Sequence, residues 1–344
     1  MILYVKYVIL SMVTAIFFTL CISGCSDDSG TTGPSNGDGH SDLTAGVVYN
    51  LDEPGALAHL TTDNSDNLYT YYVGTAKEIW KIDPDGVKSV FATNDQLDAV
   101  DGDVTSLYFN QTDEKLCAIM GYNLVEFDDS GNPTAFFTDG QTLGFSSPAY
   151  LTMCSEGNYY VSNFMGGQQK VFKITPDGTG SVFVAPTDDP TGIGQTYFKS
   201  SGDMIYLSNG FYRVPAGSNT SEKIFPTLSD DIFAAFEADS TVPGDAFSKE
   251  GKILAYSFGI DSDNIIYTQG QVYYITGNWP DSEQHQYNYM LAISEDGSVT
   301  FVETMPANYS SASGHLWNNG YLYYIRITSG EGWTRYTDIM RAEY

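Results

Sequence analysis

The chain has 344 residues, 42% of them apolar and 14% aromatic, with 26 Tyr and a formal net charge of −28. That charge argues against nucleic acid and anionic membrane surfaces as direct partners, since phosphate binding needs clustered Lys and Arg. The apolar content is enough for a large core, and tyrosine suits half-buried strands because its ring is apolar and its hydroxyl wettable.

Residues 1–24 read as a targeting segment. Lys6 supplies a weak basic start, and Tyr7 to Ile22 is an apolar run too short for a comfortable bilayer-spanning helix. The run ends in Ile22-Ser23-Gly24-Cys25, which is similar to the lipobox of bacterial lipoproteins. That resemblance implies a signal peptide cleaved before Cys25, with acyl chains on Cys25 holding the protein to a membrane. Residues 25–43 contain almost nothing apolar and read as a flexible tether. Their start, Cys25-Ser26-Asp27-Asp28, resembles the acidic surface-export signal of Bacteroidetes lipoproteins. The expected address is the bacterial cell envelope, lipid-anchored in the outer membrane and displayed at the surface.

From residue 44 the chain repeats itself every 40–50 residues or so. Glu78-Ile-Trp-Lys-Ile-Asp-Pro-Asp-Gly86 recurs as Asn123-Leu-Val-Glu-Phe-Asp-Asp-Ser-Gly131, as Lys170-Val-Phe-Lys-Ile-Thr-Pro-Asp-Gly178 and as Tyr289-Met-Leu-Ala-Ile-Ser-Glu-Asp-Gly297. Phe211-Tyr-Arg-Val-Pro-Ala-Gly217 is a degenerate copy. Each is an alternating strand running into a tight turn, which is the pattern of a β-propeller blade.

The first strand, 44–51, precedes blade 1 and belongs to no repeat. Blade 1 spans about 56–94, blade 2 about 103–139, blade 3 about 148–186 and blade 4 about 193–227; blades 5 and 6 begin near Lys252 and Ser311. Blade 6 reaches Tyr344 straight after its third strand, so the economical arrangement has 44–51 supply its missing outer strand. The expected fold is all-β: a six-bladed β-propeller over 44–344, closed by an N-terminal strand completing the last blade. The turn pattern resembles the NHL, SMP-30/gluconolactonase and TolB-like six-bladed propellers, while the absence of a Trp-Asp dipeptide argues against a WD40 propeller.

Four features carry candidate chemistry. Between blades 1 and 2, Asp98, Asp101 and Asp103 form a carboxylate-rich loop around Gly102, an arrangement that can hold Ca²⁺ although it lacks EF-hand spacing; solvated turns are the competing reading. On the inner strands, spacing aligns a column of rings: His59, Tyr108, Tyr150, Tyr197, Tyr256 and His315. His59 and His315, brought together by ring closure, are channel candidates for a metal or a proton shuttle, against a packing role for the whole column. Three long insertions, 228–250, 277–288 and 328–336, carry Phe236, Trp279, Tyr287, Trp333 and Tyr336. Propeller topology places all three insertions over blades 4–6, where aromatic rings invite stacking on a glycan or a protein partner; the alternative is that they pin their own loops. A helix is expected at Asp231–Ala238, capped by Asp230. Cys117 and Cys154 are expected to be separate thiols because their repeat positions differ.

The expected function is that of a membrane-anchored binding or scaffolding propeller, with aromatic loops over blades 4–6 as its recognition face and no cofactor beyond that candidate calcium. The alternative, from the SMP-30 resemblance, is a metal-dependent hydrolase or lactonase with carboxylates at the channel mouth. In that family Pro-Asn-Gly and Pro-Asp-Gly motifs precede inner strands; Gly102-Asp-Val, Ser147-Pro-Ala and Gly192-Ile-Gly stand here instead, so no catalytic residue is carried over.

Overall fold

The computed structural model describes residues 46–51, 55–163, 170–185, 193–208, 210–224, 228–239, 248–253, 257–276, 283–304, 309–329 and 335–343. The strands group into six antiparallel sheets, one per blade, arranged as a six-bladed β-propeller. Strand β1 (Gly46–Asn50) stands apart in sequence from the sheet it joins.

Blade 1 consists of β2 (Gly55–Thr62), β3 (Leu68–Gly74), β4 (Lys77–Ile82) and β5 (Lys88–Ala92). Helix α1 (Asn94–Leu97) leads into blade 2, made of β6 (Val104–Asn110), β7 (Lys115–Met120), β8 (Asn123–Phe127) and β9 (Pro133–Phe137). Helix α2 (Gly140–Leu143) precedes blade 3: β10 (Pro148–Met153), β11 (Tyr159–Asn163), β12 (Val171–Ile174) and β13 (Gly180–Val184). Blade 4 is the slightest, with β14 (Thr196–Phe198), β15 (Met204–Leu207), β16 (Phe211–Val214) and β17 (Glu222–Lys223).

Helix α3 (Leu228–Asp239) connects to blade 5: β18 (Ser248–Ile253), β19 (Gly259–Ile260), β20 (Ile266–Thr276), β21 (Glu283–Ile293) and β22 (Val299–Thr304). Blade 6 has β23 (Tyr309–Asn318), β24 (Tyr321–Ser329) and β25 (Arg335–Glu343), and β1 pairs antiparallel with β25 as its outer strand. The ring is closed by the segment that the missing fourth strand of blade 6 called for.

The repeated sequence motif is the hairpin between the third and fourth strands. Gly86, Gly131, Gly178, Gly217 and Gly297 all take positive φ there, between 75° and 86°. The amides of Gly86 and Gly131 bond back to the carbonyls of Asp83 and Asp128 at 2.9 Å, closing a tight turn whose last position favours a residue without a Cβ. The aspartates hold these turns: Asp128 Oδ1 accepts from the amides of Ser130 and Asn132, each at 2.9 Å. The first-to-second strand turns of blades 1 and 5 use the same device, with Asp63 Oδ1 accepting from Ser65 and Asn67, and Asp261 Oδ1 from Asp263 and Ile265.

The core sits between blades. Each hydrophobic cluster joins two successive sheets, as when Cys117, Ile119 and Leu124 of blade 2 meet Val161, Phe172 and Ile174 of blade 3. The last seam is built alike, with Leu57, Leu68 and Trp80 of blade 1 against Tyr323, Ile325 and Ile339 of blade 6. Cys117 and Cys154 are both free thiols. Helix α3 begins at Leu228, so Asp230 and Asp231 lie in its first turn, where carboxylates suit the helix dipole; Asp230 is not its cap.

Candidate ligand-binding site

The inner strands are bulged, and the bulge decides where each candidate side chain goes. In blade 1 His59 is the extra residue between Ala58 and Leu60, which pair with Tyr71 and Thr70. Its φ is +60°, in the left-handed region that a non-glycine residue seldom enters. In blades 2 and 3 the extra residue is Thr105 or Ala149, one place earlier in the register. In blade 6 two residues, Gly314 and His315, intervene between Ser313 and Leu316, and Gly314 carries the positive φ of 63°.

His59 therefore corresponds to Gly314, and His315 to Leu60. The aligned column of six rings is not one column: Tyr150 precedes the position occupied by Leu60, Leu107 and Leu151, and Tyr108 and Tyr197 follow it. Tyr256 lies outside the described residues.

Side chains one place before that position tie successive blades together. Ser106 Oγ accepts from the Leu151 amide at 3.0 Å, Gln195 Oε1 from the Phe258 amide at 2.9 Å, and Ser257 Oγ from the His315 amide at 3.4 Å. An inner-strand amide has no further strand to pair with, so the side chain of the preceding blade satisfies it. His315 belongs to this system. It is 1% exposed, its Nδ1 lies 2.8 Å from Ser257 Oγ, and its ring stacks on Tyr324 at 5.9 Å. Burial pushes its pKa down to about 3, so the ring is neutral. His59 is partly exposed, and desolvation lowers its pKa to about 4. The side-chain partners of His315 are thus Ser257 and Tyr324, not His59.

Tyr108 and Tyr197 hold the same register position on the inner strands of blades 2 and 4, and Tyr108 packs against the cluster between blades 2 and 3. Burial raises the Tyr108 pKa to about 12, and the charges that Cys117, Tyr197 and Cys154 would carry push it the same way. Burial and then Asp261 raise that of Tyr197, whose ring is 36% exposed. Both phenols stay neutral across the physiological range. They offer a ring face and a hydroxyl that donates and accepts, which is binding chemistry, and neither is activated as a nucleophile.

The acidic loop gives a cation little. Asp98 Oδ2 accepts from Asn94 Nδ2 at 2.8 Å, and Asp103 is ion-paired with Lys77. Among the described residues no three His, Cys, Asp or Glu side chains, Asp98, Asp101 and Asp103 included, lie close enough to hold a metal ion.

Of the five loop aromatics, Phe236 is placed differently from the expectation. It lies on α3, 2% exposed, packed on Tyr289 at 5.6 Å and Phe301 at 5.9 Å. With Ile232 and Phe233 it forms the helix's apolar stripe and fills the seam between blades 4 and 5. Tyr287 and Tyr336 lie on paired strands, opposite Val272 and Thr328. Trp279 and Trp333 lie outside the described residues, as does Cys25.

No family model matches the chain, and no curated protein matches it by sequence. Solved structures do match. A calcium-binding protein, regucalcin, from Agrobacterium tumefaciens superposes with a TM-score of 0.54 at 12% identity, over 87% of this chain and 94% of that one. A gluconolactonase from Xanthomonas campestris gives 0.54 at 11%, over 86% and 89%. A virginiamycin B lyase from Staphylococcus aureus gives 0.51 at 10%, over 86% and 98%. The likeness is one of fold.

Proposed function

We propose that the protein is a lipid-anchored envelope lipoprotein whose propeller binds a hydroxylated ligand, a glycan, without transforming it. The observation that carries this reading is the pair of inner-strand phenols, Tyr108 and Tyr197, which burial holds neutral, with Tyr197 36% exposed. Neutral rings with hydroxyls suit sugar faces and edges. The segments bearing Trp279 and Trp333 would add further rings to that recognition.

A glycan array on the full chain tests the binding part. Signal on defined glycans that falls at least tenfold in Tyr108→Ala and Tyr197→Ala supports it; silence across the array from the unaltered protein refutes it. The anchor is tested separately by metabolic labelling with a fatty acid. Label that disappears in Cys25→Ser supports lipidation, and label that persists overturns it. Protease treatment of intact cells tests display, and full protection would place the protein inside.

The second reading is a metal-dependent lactonase, favoured by the fold shared with a gluconolactonase and a regucalcin. The described residues assemble no three-ligand metal cluster to support it. Metal analysis of the purified protein with a lactone-hydrolysis assay separates the two readings: a stoichiometric divalent ion with turnover would favour the lactonase.

A further inference from the structure

The seam between blades 6 and 1 holds a crevice of about 120 Å³ at the end carrying the first-to-second strand turns. We propose that it is a binding site for a small zwitterion, a free α-amino acid no larger than alanine. This site is separate from Tyr108 and Tyr197 and does not depend on the function proposed for them.

Both signs of charge line the crevice. Arg341 is the cation, its guanidinium 4.9 Å from the centre of the Tyr321 ring, with Tyr323 also lining the crevice. No carboxylate lies within ion-pair distance of Arg341 among the described residues, in a chain with a net charge of −28. The guanidinium thus lies over one aromatic ring and has no carboxylate partner among the described residues.

Asp66 and Asp83 are the anions. Asp66 uses Oδ1 to accept from Asn318 at 2.9 Å and from Asn319 at 2.6 Å. Asp83 uses Oδ1 to accept from the amides of Asp85 and Val87 at 3.0 and 2.8 Å. Each carboxylate is thereby oriented through one oxygen, leaving Oδ2 for a ligand.

A simple anion would meet Arg341 but also two aspartates; a simple cation would meet the aspartates but also the guanidinium. A zwitterion satisfies both at once. Its carboxylate would sit on Arg341, its ammonium on Asp66 and Asp83, and its side chain against Val48, Leu68 and Pro84. The volume is about four waters' share of the liquid, which limits the guest to the smallest amino acids. Because Val48 belongs to β1 and Leu68 to blade 1, such a guest would also bridge the closing seam.

Titration calorimetry and thermal shift on the full chain test this with three probes: alanine, propionate and ethylamine. Alanine should bind and raise Tm, with each single-charge analogue at least about tenfold weaker. Arg341→Met, which keeps an apolar stem over Tyr321, should weaken alanine about tenfold and leave ethylamine unchanged. Asp66→Asn and Asp83→Asn keep the Oδ1 acceptor and so the turns; each should weaken alanine with little change in the unliganded Tm. Ethylamine binding as tightly as alanine would overturn the proposal in favour of a cation site. No binding at about 10 mM alanine, or alanine binding indifferent to Arg341→Met, would overturn it outright.

Discussion

The seam between blades 2 and 3 and the seam between blades 6 and 1 solve the same packing problem with different resources. At the first, partners lie close in the chain: Asn110 donates to the Tyr159 hydroxyl across 49 residues, and Ser106 accepts from Leu151 across 45. At the second, the Leu57 amide reaches Thr337 Oγ1 across 280 residues, and Asn318 reaches Asp66 across 252. Closing the longer loop costs more chain entropy, so this seam needs interactions the other does without. It has three. Strand β1 is hydrogen-bonded to β25; Tyr49 of β1 packs edge-on to Trp80 of blade 1 at 6.0 Å; and Asp66 gathers two asparagines from the neighbouring turn. Gly86 marks how tightly the parts meet, since a Cβ there would lie 2.8 Å from the Val48 carbonyl.

The sharpest way to break this contrast is to remove the clasp. Deleting residues 46–51 strips β25 of its outer partner and removes Leu51, which is 1% exposed. We expect Tm to fall by about 10 °C or more, with loss of a single cooperative transition in calorimetry. A variant that melts as the intact chain does would mean that the inner clusters alone close the ring.

Single side chains come next. Trp80 is 1% exposed and stacks on Tyr72 at 4.1 Å, while Phe172 is fully buried in the seam between blades 2 and 3. Each change to Ala should cost about 3–5 kcal/mol by urea denaturation. The contrast lies in the kinetics. Trp80→Ala should chiefly speed unfolding if the long-range seam forms late, and Phe172→Ala should also slow refolding. Equal partition of the two effects would show that the seams form together.

Legibility in the sequence follows the same division. The third-to-fourth strand turns were readable because Asp and Gly are favoured there by backbone geometry, and the clasp was readable because 44–51 reads as a strand that belongs to no repeat. The inner-strand column was not. His59 is an inserted bulge residue in blade 1, whereas blades 2 and 3 bulge one place earlier, and counting residues cannot register a bulge. Phe236 was misplaced for another reason. Ile232, Phe233 and Phe236 sit at the spacing of a buried helical stripe within the helix expected at 231–238, and reading Phe236 as a recognition residue set that spacing aside.

The smallest expected effect concerns the seam between blades 5 and 6, where His315 takes the position held by leucine in blades 1 to 3. Its pKa is about 3 in the folded protein against 6.5 for the free side chain. The unfolded chain therefore takes up a proton that the folded one refuses, and acidification through the unfolded value favours unfolding. Stability should be flat above about pH 7 and decline below pH 6.5 by up to about 1.4 kcal/mol per pH unit from this group. His59, whose folded pKa is also lowered, adds in the same direction. His315→Gln keeps a group able to bond Ser257 and removes the titration. Urea midpoints measured between pH 7.5 and about 5, above the main carboxylate range, should therefore fall less steeply in this variant than in the parent chain. Parallel slopes would mean that the ring is protonated inside the fold, with Ser257 and water meeting its charge, and that the seam is wetter than its burial indicates.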